Sequence, residues 1–137
     1  MLALTSKSKY GIAALLELAS HHGNGLLQIK DVAEHQSIPH NYLVQVMNGL
    51  VKAGLVKTVR GKHGGYALSK APNRILLFEV LEALEGPLEL ESSGPRSRAM
   101  KEILARAEDG LRETLSISVA ELLLRQGEVG EDWGFQI

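Results

Sequence analysis

The segment Arg60-Gly-Lys-His-Gly-Gly-Tyr66 holds the residue types in this chain best suited to chemistry with a ligand. Arg60 and Lys62 supply fixed positive charge that meets phosphates or the electronegative floor of a narrow minor groove, and His63 lies in the same turn. Gly61, Gly64 and Gly65 tolerate positive φ, which permits a tight reversal and lets backbone approach a ligand closely. The preceding Val56-Lys-Thr-Val59 is rich in β-branched residues, and Tyr66-Ala-Leu68 resumes an apolar alternation suited to a returning strand. These features predict a basic β-hairpin that touches DNA as a wing. A basic surface hairpin without a ligand is the plainer alternative, so the flanking elements must decide.

The segment before the hairpin, Leu27 to Leu55, has helix-turn-helix grammar. Ile29, Val32 and Ala33 recur at helical spacing and polar Gln36-Ser37 interrupts. Ile38-Pro39 then opens a second run with Leu43, Val46, Met47 and Leu50 on one face, closed by Gly54. Proline near the start and glycine just past the end suit helix termini, because a first-turn residue needs no amide hydrogen and a residue past the last turn often adopts the left-handed conformation. With the apolar face inward, His40, Asn41, Val44, Gln45 and Asn48 are left outside. Asn and Gln can pair with adenine edges, and His40 can donate to a base or a phosphate. An ordinary solvated helix face is the competing account of the same residues.

Charge separates along the chain in the same sense. Through Arg74 nine Lys or Arg oppose three acids, whereas from Ile75 onward six oppose thirteen, and the net of −1 conceals the division. A basic half attracts the phosphodiester backbone and releases counterions. An acidic half is repelled and is better assigned to dimerisation or sensing.

Enzyme chemistry finds little support. There is no cysteine nucleophile, no GxxxxGK phosphate loop and no nucleophile elbow, and the glycine turn is too short and wrongly flanked for a dinucleotide fingerprint. With 137 residues, 45% of them hydrophobic, the chain suits one core plus an appended helix. No run approaches the roughly 20 apolar residues needed to cross a bilayer, and the N-terminus lacks a signal-peptide core, so no membrane association and a cytoplasmic location are expected.

The expected architecture is mainly α with a small β-hairpin wing. A winged helix-turn-helix domain over 1–86 contains helices from about Ser6 to Ser20 and from about Leu77 to Ala83. A polar connection over 87–97 follows, then a dimerisation helix and a short last helix over 98–125, and an acidic tail over 126–137. From Arg98 to Leu115 the positions Met100, Ile103, Leu104, Ala107, Leu111 and Thr114 or Leu115 repeat at three and four residues, which predicts a long amphipathic helix whose stripe needs a cover. A symmetry mate is the expected cover, with packing inside one chain as the alternative, because helix-turn-helix regulators commonly bind two half-sites as two-fold dimers. Ser118-Val-Ala-Glu121 has capping-box spacing and is expected to start the last helix, through Arg125.

From about Leu4 to Arg125 these residues resemble the bacterial winged-helix regulators typified by IscR, NsrR and CymR. The likeness rests on Thr5-Ser-Lys-Ser-Lys-Tyr10, Asp31-Val-Ala33, Tyr42-Leu43, Leu50-Val-Lys-Ala-Gly-Leu55, Val59-Arg-Gly-Lys-His-Gly-Gly-Tyr66 and Glu82-Ala-Leu-Glu-Gly86. By that likeness Asn41, Tyr42 and Val44 lie over the major groove and Arg60 enters the minor groove. The first helix, with Lys7, Lys9 and Tyr10, holds the phosphate backbone, and the helix after the connection crosses its partner's equivalent. The resemblance thus implies a homodimeric repressor on a pseudo-palindromic operator in double-stranded DNA. Val44 departs from the pattern, since many relatives carry an acidic residue there that can discriminate cytosine, so no relative's operator is carried over.

Sensing departs as well. Relatives with an iron-sulfur cluster hold it mainly through thiolates in the loop before the dimerisation helix, where this chain reads Leu88-Glu-Leu-Glu-Ser-Ser-Gly-Pro95. Without cysteine a thiolate-held cluster and thiol redox sensing are excluded, and the five histidines show no metal-site spacing. No metal or cofactor is expected. The tail ends in isoleucine and resembles peptides that insert into cysteine synthase, an enzyme with which CymR-type regulators associate. A protein partner held through the tail is one expectation there, and a frayed end or packing of Trp133 and Phe135 is another. The rival to a DNA regulator is a winged-helix adaptor on such an enzyme, which would lack salt-sensitive DNA affinity.

Overall fold

The computed structural model describes residues 3–90 and 97–129. Helices α1 (Ser6–Ser20), α2 (Ile29–Gln36) and α3 (His40–Lys52) lead into a hairpin of β1 (Val56–Val59) and β2 (Gly65–Leu68). A 3-10 turn (Pro72–Arg74), α4 (Leu77–Glu85), α5 (Arg98–Thr114) and α6 (Val119–Val129) complete the chain. The strands pair antiparallel with Val56 opposite Leu68 and Val59 opposite Gly65.

The apolar periodicities converge on one core. Ala14, Leu15 and Leu18 of α1 meet Val32 of α2 and Leu43, Val46, Met47 and Leu50 of α3, and the hairpin adds Leu55, Val56 and Leu68. Gly11 lets α1 approach closely, since a Cβ there would lie 2.5 Å from Leu84 Cδ1 of α4 and 3.2 Å from Val46 Cγ1 of α3. The turn between α2 and α3 depends on Ser37 at φ 55°, a left-handed conformation unusual for a residue with a side chain. Two backbone bonds follow from it, from Ser37 N to Glu34 O and from Ile38 N to Ala33 O, and Ile38 is turned inward.

Differences from the expected elements cluster at the C-terminal end. Helix α4 continues to Glu85 rather than stopping at Ala83, and α6 continues past Arg125 to Val129. An ion pair one turn apart, Arg125 Nη2 to Glu121 Oε1 at 3.2 Å, lies within the first part of α6. Only one arm of the expected capping box forms at its start: the Glu121 amide donates to Ser118 Oγ at 3.0 Å, while the Glu121 carboxylate turns to Arg125. The expected polar connection is anchored at its beginning, where Leu88 is buried and the Leu90 amide donates to Glu108 Oε1 of α5. The tail residues 130–137, with the expected docking tip, lie outside the described residues.

Helix α6 does not extend outward with α5. Val119 is 1% exposed in the core, its amide donates to Ile75 O at 2.8 Å, and the Leu77 amide donates to Ile117 O at 2.8 Å. The chain thus leaves the core for α5 and rejoins it at α6, which packs on α1 and the 3-10 turn. Among the described residues no helix is long and apolar enough to cross a membrane.

Candidate nucleic-acid interface

The outward face of α3 follows from the residues that the core takes. Leu43, Val46, Met47 and Leu50 are buried, so His40, Asn41, Gln45 and Asn48 stand exposed and Val44 is half-buried between them. Pro39 precedes the helix and its carbonyl accepts the Leu43 amide at 3.0 Å. Helix residues three and four apart share a face, so Asn41, Val44, Gln45 and Asn48 form one strip with His40 at its head. Tyr42 points to α1, where its ring meets that of Tyr10 edge to face at 84° with centroids 5.4 Å apart. This contact fixes the start of the candidate reading helix against the helix that carries exposed Lys7 and Lys9.

The wing is fastened at three points. Leu27 forms a two-way bridge to Tyr66, with its amide donating at 2.9 Å and its carbonyl accepting at 2.8 Å. Gln28 Nε2 donates to Gly64 O, and Ser69 ties the hairpin base to the end of α3 through bonds to Leu55 O and Gly54 O. Gly64 and Gly65, counted above with the DNA-facing residues, are buried. A Cβ on Gly64 would lie 1.9 Å from Val59 O, and one on Gly65 would lie 2.6 Å from Leu27 O. Their part is to shape the hairpin. Arg60, Gly61, Lys62 and His63 are exposed at its tip, and positive φ is needed both at Gly61, φ 115°, and at Gly65, φ 152°, where β2 begins.

Two carboxylates that sequence reasoning left unassigned hold the platform. Glu85 Oε2 accepts from Thr5 N at 2.9 Å, Thr5 Oγ1 at 2.7 Å and Ser8 Oγ at 2.6 Å. It thereby caps α1 from another helix, and the donors, with Ser8 first, hold its pKa below the ordinary carboxylate value. Glu17, only 4% exposed, accepts from His35 Nδ1 at 2.9 Å and Gln36 Nε2 at 2.8 Å, which joins α1 to the end of α2. The hydrogen bond to Glu17 raises the His35 pKa above its ordinary value, against a smaller opposing effect of burial. Glu17 had one signal in the sequence, as the single charged residue in Ile12-Ala-Ala-Leu-Leu-Glu-Leu-Ala19. Gln28 had one signal, as the single polar residue in Leu26-Leu27-Gln28-Ile29.

Among the described residues nothing buries the α5 stripe. No residue of α5 is buried, Met100 is 42%, Ile103 58% and Leu111 40% exposed, Ala107 is exposed, and Leu104 is half-buried. Ser97 caps the helix by accepting the Met100 amide at 3.3 Å. Near its far end the Arg112 guanidinium lies 4.4 Å from the centroid of the Phe78 ring of α4.

Comparison with known proteins agrees with this geometry. The profile of the Rrf2 family, described as iron-dependent transcriptional regulators, matches residues 4–125. The HTH-type transcriptional regulator CymR of Bacillus subtilis is 34% identical over 122 residues, 86% of each chain. The solved structure of the B. subtilis CymR, described as its global cysteine regulator, superposes with a TM-score of 0.79 at 33% identity, covering 91% of this chain and 98% of that one. The T. potens IscR structure does so with a TM-score of 0.78 at 34% identity, covering 93% and 90%. These relatives are transcriptional regulators, not enzymes. Iron, which the family description names, finds no fitting donor set: the chain has no cysteine, and among the described residues no three His, Asp or Glu gather in a group able to hold a metal.

Proposed function

This chain belongs to the Rrf2 family and is a DNA-binding transcriptional regulator, and we propose that it acts as a homodimeric repressor on a pseudo-palindromic operator. In this reading α3 enters the major groove with His40, Asn41, Val44 and Gln45 toward the base edges. Tyr42, held against Tyr10, fixes its depth. Arg60, Gly61, Lys62 and His63 reach the adjacent minor groove, on a loop whose shape Gly64 and Gly65 set, and Lys7 and Lys9 of α1 meet phosphates. Helix α5 pairs with its mate through Met100, Ile103, Leu104, Ala107 and Leu111, which sets the half-site spacing. Neither a thiolate-held cluster nor another cofactor takes part. The protein works where the bacterial chromosome lies, in the cytoplasm.

The observation that carries this reading is the exposed polar strip of α3 held beside an exposed basic wing by the bonds of Leu27, Gln28 and Ser69. An adaptor would have no use for that pairing. Genomic-fragment selection with purified full-length protein at a stated salt concentration, followed by footprinting, tests it. A protected site of two inverted half-sites is expected, and failure to enrich any sequence over bulk fragments would overturn it.

A further inference from the structure

We infer that the half-site read by α3 is a run of A·T pairs, with at most one G·C pair, under His40. The inference rests on the DNA-reading role proposed above and adds the chemistry of the bases selected. The outward strip of α3 consists of exposed Asn41, Gln45 and Asn48 with half-buried Val44 between them, headed by His40. From residue 41 to residue 48 the helix advances about 10 Å, which matches about three base-pair steps along a groove.

The donors and acceptors of this strip select bases by what they match and by what they leave unpaired. A side-chain amide offers one acceptor and two donors in a plane, which pairs with adenine N6 and N7 in the major groove. The branched methyls of Val44 suit the thymine methyl group. Facing cytosine, Val44 would leave the N4 amino group without an acceptor, and facing guanine it would leave O6 and N7 without a donor. The residues that normally read G·C pairs are missing: α3 contains no Arg, Asp or Glu, and its one Lys, Lys52, lies in the last turn, about 18 Å along the axis from His40. Asn41, Gln45 and Asn48 can also donate to guanine O6 or N7, but their amide oxygen then meets a second acceptor edge, so His40, whose ring N–H donates without an acceptor beside it, is the position on this strip that suits guanine best.

The wing points the same way independently. Arg60 is exposed directly after β1, beside Val59, which is itself 50% exposed. An arginine inserted in the minor groove is held best where the groove is narrow and most negative, which is a property of A-tracts. Both reading elements thus favour one base composition.

Selection from a randomised duplex pool with the full-length protein, at one fixed salt concentration, tests the inference. Expected are half-sites with about three consecutive A·T pairs, each replaceable by G·C only at a cost of about tenfold or more in affinity. Half-sites carrying two or more G·C pairs under α3 would overturn this inference and leave the DNA-reading role standing. No enrichment at all would remove both. For Val44→Glu, a change from T·A to C·G at one position per half-site is expected, because a carboxylate accepts from cytosine N4. An unchanged consensus would refute the placement of Val44 over a base. Gln45→Ala, at an exposed position outside the core, should relax adenine preference at one position by about tenfold, and an unaltered preference there would count against the strip.

Discussion

Helices α3 and α5 are both amphipathic and of similar length, 13 and 17 residues, yet α3 buries four side chains and α5 none. In α3 the apolar face is satisfied by α1, α2 and α4, so the opposite face is free to be polar and to recognise a ligand. In α5 the apolar face has no such cover among the described residues. Two similar periodicities thus lead to opposite roles, and what decides between them is the surface available to cover the stripe, about which a helix's own spacing says nothing.

The variant with the largest expected effect attacks the uncovered stripe. Ile103→Asp should convert a dimer to monomers in analytical ultracentrifugation and weaken operator binding by about a hundredfold or more, because two linked half-sites become two separate events. An intact dimer with full affinity would break the contrast between the two helices. On the reading side, Arg60→Ala should weaken binding by about tenfold and lower the slope of log affinity against log salt by about one, in titrations at several salt concentrations. A salt slope that did not move would place Arg60 away from the duplex.

Smaller effects concern the platform under α3. Glu85→Gln should cost about 2 kcal/mol in denaturant unfolding, since Ser8 is buried and loses a charged acceptor. The Glu85 pKa is lowered by folding, so its contribution is present above the ordinary carboxylate pKa and is lost as pH falls through the depressed value. From about pH 6 to about pH 3 the wild type should therefore lose more stability than the variant. His35 carries the opposite sign: its pKa is raised, so its bond to Glu17 contributes fully below the ordinary histidine value near 6.5 and fades as pH rises through the raised one. Its side chain is 51% exposed, so the effect should stay under about 1 kcal/mol. Melting at about pH 6 and about pH 8.5 should separate wild type from His35→Gln, and equal changes in both would remove His35 from the joint. Last, Ser37→Gly should stabilise the protein by up to about 1 kcal/mol by relieving the left-handed turn, read in the same melts.

What the sequence made legible follows a physical divide. Helix α1 begins and ends at Ser6 and Ser20 as its periodicity predicts, and the wing lies where glycines separate two β-branched or apolar runs, because each depends on neighbours a few residues apart. The outward set His40, Asn41, Gln45 and Asn48 was legible for the same reason. Partners distant along the chain were not: Glu85 reaches Ser8 across 77 positions, and Glu17 reaches His35 across 18. Nor did spacing tell Gly64 and Gly65, buried against carbonyls, from Gly61 at the exposed tip. The end of α6 was misjudged because Gln126-Gly127 looks like a terminus, whereas the helix continues to Val129.

The return of α6 to the core bears on how the protein is made. Ile75 and the α1 surface beneath α6 stay open to water until Val119, 44 positions later, has been synthesised and folded back. A nascent chain interrupted within α5 would carry the whole helix-turn-helix and wing yet leave an apolar seam bare, which suits it to chaperones and proteases more than to a promoter. The last helix to emerge is thus the one that closes the core.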